Sequence, residues 1–254
     1  IKFQLYTGDS LVNPLESASR NEHFKKFELS KENHLELAQL CKKNLVGYAA
    51  SVWHEDFFPW IDDYLDFYKI GSGDLTAYPI LKKIAEIGKP ILLSTGLATE
   101  IEVIESVKFI QKINPNYLKA GRLALLQCTS MYPITYSDAH LNVMDRLREI
   151  TRLSHVGYSD HTIGIDALKY AYAMNADVLE FHFTDDRNNR SFRDHTVSLT
   201  KADVENLIAE IKIINALKGN QIKTQLKIEL ENNHVTSFRR ALYLKHDLPK
   251  GSTI

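Results

Sequence analysis

Apolar and polar residues follow two different periods along this chain, and the two periods take turns. Short runs with alternating or continuous apolar character fall at Ile1 to Tyr6, Val46 to Ser51, Tyr68 to Ser72, Pro90 to Ser94, Leu123 to Thr129, His155 to Ser159 and Asp177 to Phe183. Each predicts a β-strand. Between them, stretches with one apolar face at helical spacing predict helices over Lys31 to Lys43, Pro79 to Ile87, Glu100 to Lys112, Leu141 to Leu153 and Ile165 to Met174. Thr99 and Glu102 have the spacing of a capping box, an N-terminal start signal. Strand alternating with helix is the signature of a parallel sheet, and seven or eight such units close most economically into a (β/α)8 TIM-type barrel. Seven strands are readable, their starts 22 to 45 residues apart.

The pattern changes towards the end. A last helix, Lys201 to Leu217, opens behind Thr200 and stops at Gly219, so the barrel is expected to occupy residues 1–219. Residues 220–236 read as a polar linker. Ser237 to Lys245 alternates like a strand, so residues 237–254 are expected to begin a second, mostly absent domain. The chain opens at Ile1 already inside a strand-like alternation and stops just after the turn signal Asp247 to Gly251, and both ends are expected to be cut.

Composition narrows the classes. The 254 residues are 44% hydrophobic and 25% charged, which suits a globular protein with a sizeable core and excludes disorder. The formal net charge of −1 provides no field for nucleic acid or an anionic membrane, so neither is an expected partner. Two cysteines, Cys41 and Cys128, fit neither a disulfide framework nor a zinc site. Strand-sized apolar runs and the lack of a signal-type opening point to a cytoplasmic protein.

Polar clusters follow five of the seven strands: Lys69 to Asp74, Ser94 to Gly96, Gln127 to Tyr132, Tyr158 to Thr162, and His182 to Asp185. Barrel active sites are built at these carboxyl ends. Residues two apart on a strand share a face, so Lys2, Gln4 and Tyr6 point one way while Ile1, Phe3 and Leu5 point the other. If the apolar face packs on helices, Lys2 faces the interior, where it is costly unless it meets an anion. By the same geometry Glu180 and His182 face inward, with Leu179, Phe181 and Phe183 outward, and Ser159 and His161 share a face. Two histidines on adjacent strands then converge as ligands of a divalent metal do; with water and substrate oxygens filling the other positions, Mn or Mg fits better than a structural zinc. A single histidine would more often be a hydrogen-bonded core residue. Lys2 and Lys69, with Ser72, Ser94, Thr95 and Ser159 among Gly71, Gly73 and Gly96, have the chemistry of a phosphate cradle, although a lone Gly-Ser pair is usually only a turn.

The motifs Lys69-Ile-Gly-Ser-Gly-Asp, Leu93-Ser-Thr-Gly, Gln127-Cys-Thr-Ser-Met-Tyr-Pro, Gly157-Tyr-Ser-Asp-His-Thr-Ile-Gly-Ile and Glu180-Phe-His-Phe-Thr, in this order and spacing, resemble the sialic acid synthase (N-acetylneuraminate synthase) family. The resemblance runs the length of the chain. Ser237 to Gly251 resembles the opening of that family's C-terminal antifreeze-like domain, which in the family reaches into a partner subunit's site and implies a homodimer for the full-length protein. The resemblance implies a metal-dependent condensation of phosphoenolpyruvate with an N-acylated hexosamine such as N-acetylmannosamine, yielding a nine-carbon 2-keto acid and phosphate. By position, His161 and His182 match the metal ligands. Lys2, Lys69, Ser72, Ser94 and Ser159 match the phosphoenolpyruvate pocket, and Gln4, Asp74, Tyr132 and Asp194 match positions facing the sugar. Ser130 joins the substrate contacts, and Asp74 and Lys69 are the expected catalytic pair. Against the family pattern, the barrel lacks its first strand.

The chain departs from that pattern elsewhere too. Asp74 stands where Glu is usual, Gln127 where His is usual, and Ser130 where Asn or Thr is common. Asn188 to His195 replaces a frequent Gly-Pro-Asp-His. Sialic, legionaminic and pseudaminic acids and related products all stay open as the product. Two other classes share parts of the residue set: another metal-dependent barrel enzyme, such as an aldolase or hydrolase, and a non-catalytic barrel that binds a sugar or phosphate.

Overall fold

The computed structural model describes residues 1–119, 121–188, 190 and 192–253; Asn189 and Ser191 of the departing loop, and Ile254, lie outside the described residues. Seven parallel strands pair in strict chain order: β1 (Lys2–Leu5), β2 (Ala49–Val52), β3 (Tyr68–Ile70), β4 (Ile91–Ser94), β5 (Leu123–Cys128), β6 (His155–Ser159) and β7 (Leu179–Glu180). The crossovers carry α1 (Gly8–Leu11), α2 (Ala18–Lys25) and α3 (Lys31–Lys43) after β1, α4 (Phe58–Ile61) after β2, α5 (Tyr78–Ile87) after β3 and α6 (Glu100–Ile113) after β4. They continue with α7 (Val143–Thr151) after β5, α8 (Asp166–Ala173) after β6, and α9 (Asp194–Val197) and α10 (Lys201–Lys218) after β7.

The expected capping box holds α6, and α3 has one of the same kind. Thr99 Oγ1 accepts from the Glu102 amide while Glu102 Oε2 accepts from the Thr99 amide at 2.7 Å, and Ser30 with Asn33 does the same for α3. Along α6, Val103, Ser106, Val107 and Ile110 are buried, the spacing of one helix face. Ser106 is tolerated there because its hydroxyl donates to the Leu75 carbonyl at 2.8 Å. Every residue of β3 and β5 is buried, as in a parallel sheet covered on both faces. Gly157 of β6 has no room for a side chain, since a Cβ there would sit 2.2 Å from the Val178 carbonyl oxygen.

The sheet curls. Laid flat, β1 and β7 would be about 29 Å apart across six strand spacings. Instead Lys2 Nζ of β1 donates to Glu180 Oε1 of β7 at 2.5 Å. The first and last strands therefore face each other across an interior, yet they share no backbone pairing among the described residues.

Some elements differ from expectation. The strand reading of Asp177 to Phe183 contracts to Leu179–Glu180 because β7 has a ladder on one side only, with Phe183 in an isolated bridge to Leu199. The second strand begins at Ala49 rather than Val46, where its pairing with Lys2 starts. Helix α2 has no counterpart in the sequence pattern: its residues show no apolar period, and its buried residue is Asn21, whose amide bridges Asp9 Oδ1 and the Val12 carbonyl.

Two compact units are resolved, Ile1–Ile214 and Asn215–Ile254, so their boundary falls within α10 rather than at Gly219. The second carries α11 (Lys227–Glu231) and α12 (His234–Phe238), so the expected linker is partly helical. Ser237 to Lys245 does not form a strand. Ser237 and Phe238 close α12, where Ser237 Oγ donates to the Asn233 carbonyl at 3.0 Å; a lone alternating segment has no neighbouring ladder to satisfy its backbone, whereas a helical turn satisfies its own. Among the described residues, no helix is long and apolar enough to cross a membrane.

Candidate active site

A cavity of about 1530 Å³ opens along the carboxyl ends of the strands. Single small ligands usually occupy about 300–1,000 Å³, so it has room for two. Most of the residues singled out from the sequence line it: Lys2 and Gln4 on β1, Lys69 on β3 with Ser72 and Asp74 just beyond, Ser94 ending β4, Ser130 and Tyr132 after β5, Ser159 and His161 at the end of β6, and His182 and Asp194 after β7; Thr95 of the expected phosphate cradle does not. The inward and outward faces of the edge strands separate less cleanly than expected. Phe3, Leu179, Phe181 and Phe183 also border this volume, because among the described residues no strand pairs between β1 and β7 to close them off.

One side of the cavity is built around two cations. Lys69 is 4% exposed; its ammonium donates to Ser94 Oγ at 2.8 Å and to the Ile70 carbonyl at 3.0 Å, and lies 3.5 Å from Glu180 Oε2. Burial pushes Lys69 below the usual lysine range, and Glu180 opposes that shift. For Glu180 the balance is reversed. Burial disfavours its charge, but Lys69 and Lys2, helped by hydrogen bonds from Lys2 and Ser159, hold its carboxyl well below the usual range. The anion that makes an interior Lys2 tolerable is thus an internal one. Gly96 presents its amide to Ser72 Oγ at 3.0 Å, and a Cβ on it would lie 2.7 Å from both Ser72 Oγ and Ser130 Oγ, so a side chain here would have to push these hydroxyls aside.

The other side carries the imidazoles. The His161 and His182 ring centroids are 5.3 Å apart, with Tyr132 4.0 Å from the first and 5.5 Å from the second. His161 Nδ1 lies 2.7 Å from the Thr129 carbonyl, which can only accept, so Nδ1 carries a proton and Nε2 is left for another partner. Burial opposes a charge on His161, but contact with the Cys128 sulfur and the Thr129 carbonyl outweighs it and raises its pKa. His182 goes the other way, pushed down to about 4 by burial and then by His161 and Lys2, so it is neutral near pH 7. Its Nδ1 is 3.7 Å from Asp194 Oδ2. Asp194 Oδ1 is buried, with Arg193 Nε 3.5 Å away and no partner at closer hydrogen-bond geometry; burial raises that carboxyl against the pull of Arg193, and burial raises Asp74 as well. The Arg193 guanidinium lies over the Tyr132 ring, 4.9 Å from its centroid.

Among the described residues, no group of three or more His, Cys, Asp or Glu side chains has a metal-holding arrangement. The two imidazoles do fit a partly open site. A backbone carbonyl fixes the tautomer of one, and the other is in the neutral, ligating form.

Other conspicuous residues point elsewhere. Asp160 accepts from Tyr158 Oη at 3.0 Å and from the Thr162 amide at 2.9 Å, bracing the strand end. Gln127 donates to the Ala139 carbonyl at 3.1 Å, so the departure at 127 holds a loop and does not line the cavity. Thr95 is bonded to the Leu126 carbonyl at 3.1 Å. Conversely, Ser51, Cys128 and Glu180 line the cavity without having been singled out as site residues. Ser51 had one signal: it is the polar member of an otherwise apolar strand, in register with Gln4.

Comparison with known proteins agrees with this geometry. The NeuB family model matches residues 1–223. An uncharacterized protein of Methanocaldococcus jannaschii is 32% identical over 99% of this chain and 72% of its own length. The N,N'-diacetyllegionaminic acid synthase of Campylobacter jejuni is 36% identical over 89% of this chain and 66% of its own. Among solved structures, the N-acetylneuraminic acid (sialic acid) synthetase of Leptospira borgpetersenii, in complex with citrate, superposes with a TM-score of 0.84 at 25% identity, covering 94% of this chain and 82% of that one. With its curled parallel sheet, its paired lysines and its two facing imidazoles, this chain belongs to the NeuB family of sialic and related nonulosonic acid synthases.

Proposed function

We propose that the protein joins phosphoenolpyruvate to the open-chain aldehyde of an N-acylated hexosamine, such as N-acetylmannosamine, to give a nine-carbon 2-keto acid and phosphate. The observation that carries this reading is one cavity with two chemically distinct sides, Lys2 and Lys69 with their hydroxyls on one and His161, His182 and Tyr132 on the other. The lysines, with Ser72, Ser94 and Ser159, suit the phosphate and carboxylate of phosphoenolpyruvate, whose charge would take over from Glu180 as their partner. Gln4, Asp74, Ser130, Tyr132 and Asp194 suit a polyhydroxylated sugar, and Asp194 Oδ1, whose contact with Arg193 Nε is long at 3.5 Å, has room to accept from a sugar hydroxyl.

His161 and His182 would hold a divalent Mn or Mg ion, which supplies Lewis-acid polarisation of the sugar aldehyde when bound. A new bond forms between C3 of phosphoenolpyruvate and C1 of the sugar, using the enol π pair, and the former aldehyde oxygen takes up a proton. Positive charge develops at C2, water adds there, and the resulting tetrahedral centre collapses as the C2–O bond to phosphate breaks. Lys69 and Lys2 hold the phosphate in line through both stages and meet the charge it carries away. Asp74, whose carboxyl is raised by burial, would exchange a proton with the sugar side, and Lys69 would stabilise the departing phosphate.

The unpaired outer edges of β1 and β7 support an eighth strand between them, completing the (β/α)8 barrel. The full-length protein would be a homodimer, its antifreeze-like domain completing the partner's site. Free, buried Cys41 and Cys128 suit the reducing cytoplasm. The test is phosphate release from phosphoenolpyruvate with manganese and a panel of N-acyl hexosamines. Release that depends on one of the sugars is expected; no sugar-dependent release across the panel would refute the function.

A further inference from the structure

We propose that Phe192 is a positioning residue for the sugar side of the cavity, held by an aromatic clasp of His23 and Phe27, an inference that rests on the functional reading above. The Phe192 ring stacks on His23 with centroids 5.4 Å apart and planes at 20°, and meets Phe27 at 5.2 Å. His23 and Phe27 are themselves in contact at 5.1 Å. The three rings therefore form a closed triangle. His23 lies in the last turn of α2 and Phe27 just beyond it, so the clasp ties the crossover after β1 to the loop after β7.

The two residues after Phe192 give the clasp its consequence. They are Arg193, lying over Tyr132, and Asp194, with one carboxylate oxygen 3.7 Å from His182 Nδ1 and the other 3.5 Å from Arg193 Nε. The His195 amide donates to the Phe192 carbonyl at 3.1 Å, closing a tight turn, and His195 Nδ1 lies 2.8 Å from Thr184 Oγ1. The turn is thus pinned at its far end by Thr184 and at its near end by the clasp. Without Phe192 the near end is released, and Arg193 and Asp194 lose their placement. Lys2 and Lys69 stand on strands within the curled sheet and keep theirs. Loss of the clasp should therefore weaken the sugar and spare phosphoenolpyruvate.

The test is steady-state kinetics of the full chain with phosphoenolpyruvate, manganese and N-acetylmannosamine, alongside thermal unfolding. Phe192→Ala should raise the half-saturating sugar concentration about fivefold, in the range expected for lost aromatic pairing, with half-saturation by phosphoenolpyruvate unchanged. Phe192→Tyr, which can keep the stack, should restore the sugar value. His23→Ala combined with Phe192→Ala should be no worse than Phe192→Ala alone in sugar saturation, and should lower the midpoint of unfolding by less than the sum of the two single variants, because the stack they share is lost only once while His23 also touches Phe24 and Phe27. Equal changes for both substrates, no change for the sugar, or strictly additive effects in the double variant would overturn the proposal. If wild type turns over no N-acyl hexosamine, the functional reading fails; the unfolding cycle still decides the clasp, which additivity would refute.

Discussion

Glu180→Gln removes the charge that holds the two lysines while keeping nearly the same shape. The Lys69–Glu180 contact of 3.5 Å corresponds to a gross attraction of about 5 kcal/mol at an effective dielectric constant of about 20. Most of that offsets the cost of burying both groups. What the substitution exposes is the other half of the balance, a buried Lys69 facing Lys2 with no anion between them, and orphaning one member of a buried pair costs about 3–5 kcal/mol. Lys2 is 31% exposed along its side chain, so water screens its share, and the expected loss is at the lower end, about 3 kcal/mol. Urea unfolding of both proteins measures it. The pH dependence has a definite sign. A carboxyl whose folded pKa is depressed contributes stability above its unfolded value and loses it as pH falls, so the gap between wild type and variant should be full near neutrality and shrink below about pH 4. Phosphoenolpyruvate at one fixed concentration should narrow the gap, since binding stabilises both proteins but only wild type must displace Glu180 from the lysines to bind it, and each tenfold in affinity is worth about 1.4 kcal/mol. Equal stability of the two proteins at pH 7 without phosphoenolpyruvate would refute the view that Glu180 is the internal counter-ion.

The same geometry sets three further outcomes. Lys69→Met should raise the half-saturating phosphoenolpyruvate concentration at least about tenfold, a charge-assisted contact being worth about 1.5–3 kcal/mol, with little change for the sugar; equal shifts for both in initial-rate measurements would make Lys69 structural. His161→Ala should abolish turnover together with its dependence on added manganese, while isothermal titration shows phosphoenolpyruvate binding only modestly weakened; undiminished turnover of the chelator-treated variant would remove His161 from the metal site. Gly96→Ala should cost about 1–3 kcal/mol in thermal unfolding, because its Cβ would crowd Ser72 Oγ and Ser130 Oγ at 2.7 Å, and an unchanged midpoint would show that the hydroxyl cluster yields freely.

Local rules made some of this molecule legible and tertiary ones hid the rest. The span His155–Ser159 is readable to the residue, as are α3 over Lys31–Lys43 and the Thr99 cap of α6, because periodicity and capping are written in neighbouring residues. The cavity cations were legible for a similar reason: a lysine on the polar face of a strand needs an explanation. Their counter-ion was not, because the Lys2–Glu180 contact joins residues 178 apart and exists only once the sheet curls. Helix α2 escaped because its buried contact is made by an asparagine amide reaching Asp9 and Val12, which no apolar pattern encodes. Ser237 to Lys245 shows the converse, a strand-like alternation with no sheet to join.

Mass spectrometry of the product tests the central claim most directly. Phosphoenolpyruvate labelled with ¹³C at C3 is incubated with manganese, the protein and a panel of N-acyl hexosamines. The predicted result is a single new acid whose mass is that of one sugar plus the three-carbon pyruvate unit, carrying the label, formed in step with one phosphate released. Release of phosphate with labelled pyruvate as the only new carbon product, or no labelled sugar acid from any member of the panel, would contradict it.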